Sequence, residues 1–237
     1  MILEVRVAFG GRKRAKAAEE PPVEPTPWAN VREFVISSVE RPKSPKRMRS
    51  VWGKPAVRVP TGSSDYPALA PCAFLGSSSV PNPPSRPELT LYEDIDSQRL
   101  LCYVEEPQEV NREQHYVVRD SRQQAIGTLR RVPPKRPFKH TWRIDQPGHP
   151  TIIGRNEWAS GTAGQAVARV AIRAAFEAVD SAFYAGTDQK PTTKARTLEW
   201  LAGDEVVMTS EGSSKVEIQA DWVDRRLAFA FALVGDK

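Results

Sequence analysis

The chain has 237 residues, room for one large domain or for a domain of roughly 150 residues with a tail. Of its 21 prolines, 14 precede Glu88; the same N-terminal part carries 14 Lys/Arg against 7 Asp/Glu, while the remainder carries 20 against 22, so the net charge of +5 belongs to the beginning of the chain. Two cysteines, Cys72 and Cys102, with no CxxC spacing, exclude a disulfide framework and a cysteine-built metal site.

In chain order, the first apolar stretch, Ile2–Phe9, is interrupted by Glu4 and Arg6 and lacks the continuous apolar region of a signal peptide. No later segment reaches the ~20 apolar residues of a spanning helix, so the chain is expected in the cytoplasm, peripheral to a membrane at most. The runs Glu19–Pro27 (EEPPVEPTP) and Glu40–Arg49 (ERPKSPKRMR) cannot assemble a packed face, and nothing in them offsets roughly 1–2 kcal/mol of backbone entropy per ordered residue. The apolar patch Phe34-Val35-Ile36 stands isolated between them. Residues 1–87 therefore read as a Pro-rich, basic, mostly disordered tail, and residues 88–237 as the folded domain. The basic clusters Gly11–Lys16 and Lys43–Arg49 would let that tail bind nucleic acid by counter-ion release, an alternative function for the chain.

From Leu89 the texture changes to short β-type runs separated by turn residues. Leu89–Tyr92 and Leu100–Val104 flank the polar Glu93–Arg99; His115–Arg119 and Ala125–Val132 flank Asp120–Gln124; His140–Asp145 and Thr151–Arg155 flank a Pro-Gly turn. The second and third hairpins resemble each other, with Asp120 leading to Ile126-Gly127 and Asp145 to Ile153-Gly154, a weak internal repeat.

Between Thr162 and Ala185 the period becomes helical: Val167, Val170, Ala171, Ala174, Val179 and Phe183 share a face opposite Arg169, Arg173, Glu177 and Asp180. Strands resume at Thr197–Leu201, Glu205–Thr209 and Lys215–Trp222. The last run, Leu227–Val234, carries no polar side chain. Read as a helix from Asp224 to Gly235, it is about 18 Å long and apolar all round, too short for a ~30 Å hydrocarbon core and so destined for burial. Covering Leu227, Phe229, Phe231 and Leu233 contributes roughly 6–12 kcal/mol gross.

Tyr116-Val117-Val118-Arg119-Asp120 with Ile126-Gly127, then Trp142-Arg143-Ile144, then Asp224-Arg225-Arg226-Leu227 and the apolar end together resemble the tubby-like C-terminal domain superfamily, which includes the phospholipid scramblases and LURP-one-related proteins. The resemblance spans about Leu89–Asp236. It implies a mainly β fold: a closed antiparallel β-barrel around a central hydrophobic C-terminal helix, here with an additional amphipathic helix inserted. Nine strands are legible against twelve in the family barrel; the rest would come from around Arg32–Val39 or Val57–Pro60, or from strands the pattern does not expose. The family's lipid associations imply anionic phospholipid as the partner, with a protein partner as the other option.

The segment from Arg130 to Arg143 holds Arg130, Arg131, Lys135, Arg136, Lys139 and Arg143 with no acid, stiffened by prolines, and it is the candidate anionic-lipid site. The plainer reading is a solvated loop whose arginines pair with Glu105, Glu106 and Glu109. Asp94-x-Asp96-x-Gln98 reads as turn chemistry rather than a calcium loop, since Arg99 and Glu105 stand where such a loop needs glycine and a bidentate acid. His115, His140 and His149 sit in or beside turns without ligand spacing, and no nucleophile motif appears. The expectation is a non-enzymatic binding module without cofactor or metal.

Overall fold

Residues 23–77, 80, 83–84, 86–134, 140–156 and 196–235 are described by the computed structural model of the chain. In them, strands follow as β1 (Glu33–Arg41), β2 (Val51–Gly62), β3 (Pro67–Gly76), β4 (Pro87–Tyr92), β5 (Leu100–Glu105), β6 (Gln108–Val110), β7 (Glu113–Asp120), β8 (Ala125–Val132), β9 (Thr141–Asp145), β10 (Ile152–Asn156), β11 (Thr197–Ala202), β12 (Glu205–Glu211) and β13 (Lys215–Ile218), ahead of a C-terminal helix, Arg225–Val234. Each strand pairs antiparallel with its neighbour from β1 to β5 and from β7 to β13. The β5–β7 and β13–β1 pairings then close a 12-strand barrel, which removes the exposed edges an open sheet would present. β6 lies beside the first half of β7 and β5 beside its second half, so the two share one side of β7.

The three predicted hairpins form as β4–β5, β7–β8 and β9–β10. The strand expected at Lys215–Trp222 ends at Ile218, where the amides of Gln219 and Ala220 both donate to the Val207 carbonyl and turn the chain. β6 escaped the pattern because its three residues are all exposed and show no apolar period. Its link to β7, Asn111-Arg112, takes φ of 53° and 67°, the left-handed geometry of a two-residue hairpin turn. The predicted helix Thr162–Ala185 lies outside the described residues.

The division at residue 87 is corrected by β1, β2 and β3, which supply three strands of the ring from the part of the chain assigned to the tail. Residues 1–22 lie outside the described residues. Two physical features concealed these strands. First, β1 is covered on both faces, with Phe34 at 0 % and Val35 at 5 % exposure, so it shows a short apolar triplet in place of an alternation. Second, Pro55, Pro60, Pro67 and Pro71 stand within β2 and β3, and proline within a run ordinarily argues against a strand. Pro71 is accommodated at a register shift between Val57 and Arg58, where the ladder is interrupted. Arg58 of β2 is wholly buried and donates to the carbonyls of Ser37, Lys54 and Leu69.

Asp224 caps the C-terminal helix, its carboxylate accepting from the Arg226 amide at 2.9 Å, and the Gly235 amide closes it on the Phe231 carbonyl at 2.8 Å. Gln146, in the β9–β10 turn, accepts from the Asp224 amide and donates to the Trp222 carbonyl, while the Arg225 guanidinium donates to Val31, Asp221 and Val223 carbonyls. These bonds fix where the helix begins. Along it, Leu227 through Leu233 are all buried. Phe229 meets Phe34 of β1 edge to face at 4.8 Å, and Phe231 meets Trp142 of β9 at 5.7 Å and Trp200 of β11 at 4.5 Å. Gly127 of β8 leaves room for Leu227, since a Cβ there would lie 2.8 Å from its Cδ1.

Candidate anion-binding site

The site begins with the register of three strands. On β8, Leu129 stands opposite Tyr116 of β7 and Ile144 of β9; Arg130 stands opposite His115 and Arg143; Arg131 stands opposite Gln114 and Trp142. Because a strand alternates sides at every residue, Arg131 lies on the same side of the sheet as buried Leu129 and Trp142, while Arg130 and Arg143 lie on the other. The pleat therefore divides a cluster that is contiguous in sequence between two faces.

Arg130 is neutralised. Its Nη1 lies 3.2 Å from Glu113 Oε2 and its Nε 2.6 Å from Asp145 Oδ2, and Asp145 also accepts the Thr151 hydroxyl at 2.7 Å. Glu113 is shared with His115, whose Nε2 is 3.6 Å away. Like charges directly opposite across a ladder destabilise it, and these two carboxylates are what allow Arg130 and Arg143 to face each other. Pairing with acids does occur, then, but through Glu113 and Asp145; Glu105 is taken by Arg119 at 2.6 Å. Arg130 is thus held between two carboxylates and is the ion-paired member of the candidate set.

Arg143 and Arg131 differ from it. Arg143 is half-buried, has no ion pair among the described residues, and its Nε is buried without a hydrogen-bond partner. Arg131 is exposed and likewise makes no ion pair among the described residues. It lies near the Tyr116 phenol, which partial burial pushes up in pKa while the Arg131 charge pulls it down and Glu88 pushes it up. A guanidinium presents a planar fork of donors suited to phosphate or carboxylate oxygens, and Arg131 and Arg143, one on each side of the sheet, stand without a carboxylate among the described residues. Lys135, Arg136 and Lys139 lie outside the described residues.

The other sequence candidates resolve into local structure. The Asp94 carboxylate accepts from the backbone amides of Asp96, Gln98 and Arg99, which holds its pKa down and completes a turn. His149 stacks on Trp222 with ring centroids 4.5 Å apart. Both cysteines are buried, and burial pushes each thiol up to about 12, so neither supplies a thiolate near neutral pH. Glu113 and Asp145, the acids that pair with Arg130, were not singled out from the sequence, because the β7–β8 and β8–β9 pairings are what bring them beside it. No helix among the described residues is long and apolar enough to cross a membrane. Compared with family models, with curated proteins and with solved structures, the chain finds no match.

Proposed function

We propose that this chain is a non-enzymatic binding module that engages anionic phospholipid headgroups through Arg131, Lys135, Arg136, Lys139 and Arg143. The observation that carries the reading is that Arg131 and Arg143, one on each side of the sheet, make no ion pair among the described residues and flank an acid-free stretch of sequence. We further read the barrel as tubby-like, with the C-terminal helix as its central hydrophobic element. Supporting this are the burial of Leu227–Leu233 and the ring contacts to β1, β9 and β11.

Flotation with phosphatidylserine-containing vesicles tests the reading. Replacing Arg131, Lys135, Arg136, Lys139 and Arg143 together with alanine is expected to lower partitioning at least roughly tenfold, at about 1 kcal/mol per cation near an anionic surface. Equal flotation of this variant and the wild type sinks the assignment. Arg130→Ala serves as the contrast, expected to lower stability rather than vesicle affinity.

A further inference from the structure

Six large hydrophobic side chains are exposed among the described residues: Met48 (77 %), Trp52 (64 %), Tyr66 (54 %), Ile95 (46 %), Val110 and Val51. Three of them, Met48, Val51 and Trp52, fall within the connection between β1 and β2 and the first residues of β2. This connection is a pinned arm. The Ser44 hydroxyl donates to the Asp65 carbonyl at 2.7 Å, Arg47 Nη1 to the Pro67 carbonyl at 2.9 Å, and Lys54 Nζ to the Ile95 carbonyl at 2.8 Å. Ser44 and Arg47 also bridge to each other, closing the tip. Tyr66 and Ile95 therefore belong to turns that the arm and the start of β2 touch.

The charge on this surface is asymmetric. From Arg41 to Lys54 the chain carries six Lys/Arg and no acid. Arg41 and Arg47 are buried within the arm, whereas Lys46, Arg49 and Lys54 are exposed beside the apolar side chains. The adjoining turns contribute Asp65 and Asp96 as exposed acids; Asp94 is occupied by backbone amides and Glu93 accepts from the Trp28 indole.

We infer that the β1–β2 arm is an insertion element for an anionic bilayer, with Met48 and Trp52 entering the headgroup–acyl boundary and Lys46 and Arg49 on the lipid phosphates. Trp belongs energetically to that boundary, where its ring is apolar and its N–H stays wet. Long cationic side chains flank such a wedge by extending to the phosphates. Met48, the most exposed of these side chains, favours lipid over single-stranded nucleic acid, because it offers no ring on which a base could stack. The inference rests on the phospholipid reading above but uses different residues. By register, the β4–β5 turn beside the arm lies at the end of the barrel where β8 begins, and the segment carrying Lys135–Lys139 follows the end of β8. The two surfaces are therefore separately testable.

Full-length protein is mixed with phosphatidylserine vesicles carrying brominated acyl chains, which quench tryptophan at the boundary. Wild type is expected to float and lose emission, and Trp52→Phe to float while retaining most of it. Met48→Ser with Trp52→Ser is expected to float roughly tenfold less, with an unchanged circular dichroism spectrum because both side chains are exposed. Wild-type flotation without quenching, or undiminished flotation of the double variant, overturns the arm and leaves the headgroup reading standing. Loss of flotation in the double variant, with none in the five-cation variant, supports the arm and overturns the other site. A wild type that binds single-stranded nucleic acid and not vesicles overturns both.

Discussion

Replacing Arg58 with methionine is expected to destabilise the fold by about 3–5 kcal/mol, the cost of breaking a buried charged contact by removing one partner. The guanidinium is wholly buried and donates to four acceptors: the carbonyls of Lys54 (2.8 Å), Ser37 (2.9 Å) and Leu69 (3.0 Å) and the Glu40 carboxylate (3.3 Å). At roughly 1.5–3 kcal/mol per hydrogen bond to a charged donor, the four would sum to more than that range. Desolvation of the guanidinium, which lowers its pKa, offsets much of the sum. Methionine fills similar volume but leaves the carbonyls and one carboxylate facing an apolar chain. For a domain of ~5–15 kcal/mol total stability, that leaves the fold marginal. Urea unfolding, followed by emission from buried Trp142 and Trp200, measures the loss. Arg58→Lys keeps the charge without the fork and should lose about 2 kcal/mol. A midpoint for Arg58→Met corresponding to less than about 1 kcal/mol would show that the carbonyls find other donors and refute the reasoning.

Three further outcomes test the core and the ladder. Gly127→Ala places a Cβ 2.6 Å from the Asp145 carbonyl and 2.8 Å from Leu227 Cδ1, and thermal melts should register a loss of about 1–3 kcal/mol. Adding Leu227→Ala should not restore it, since the carbonyl contact is backbone. Asp224→Ala removes the cap on the Arg226 amide and should lose about 1–2 kcal/mol in urea. Glu33 and Glu217 stand directly opposite on β1 and β13; burial raises both pKa values, Lys215 lowers that of Glu33, and Glu33 further raises that of Glu217. Raised carboxyls keep their protons longer in the folded state, so stability declines as pH climbs from the ordinary glutamate range through the folded values. Glu217→Gln should therefore raise stability by roughly 0.2–1 kcal/mol at about pH 7 and give no gain at about pH 3.5, read as melting temperatures.

Much of the second half was legible as sequence, because its short β-type runs are bounded by turn residues. The hairpins β4–β5, β7–β8 and β9–β10 follow from paired runs with turn residues between. The C-terminal helix was legible to within a residue, since Asp224 caps it, Gly235 ends it, and a segment with no polar side chain must be buried on every side. Tertiary structure alone decided the rest. β1–β3 carry prolines, a buried arginine and apolar side chains on both faces, features that make sense only when neighbours supply a bulge, four hydrogen-bond acceptors and a second layer of cover. The candidate site shows the same limit. Composition placed six cations in one segment, but whether a cation is free depends on residues distant in sequence: Glu113 and Asp145 neutralise Arg130, while the pleat sends Arg131 and Arg143 to opposite sides of the sheet. Local propensity is carried by the chain itself; charge pairing and burial on a second face are properties of the assembled barrel.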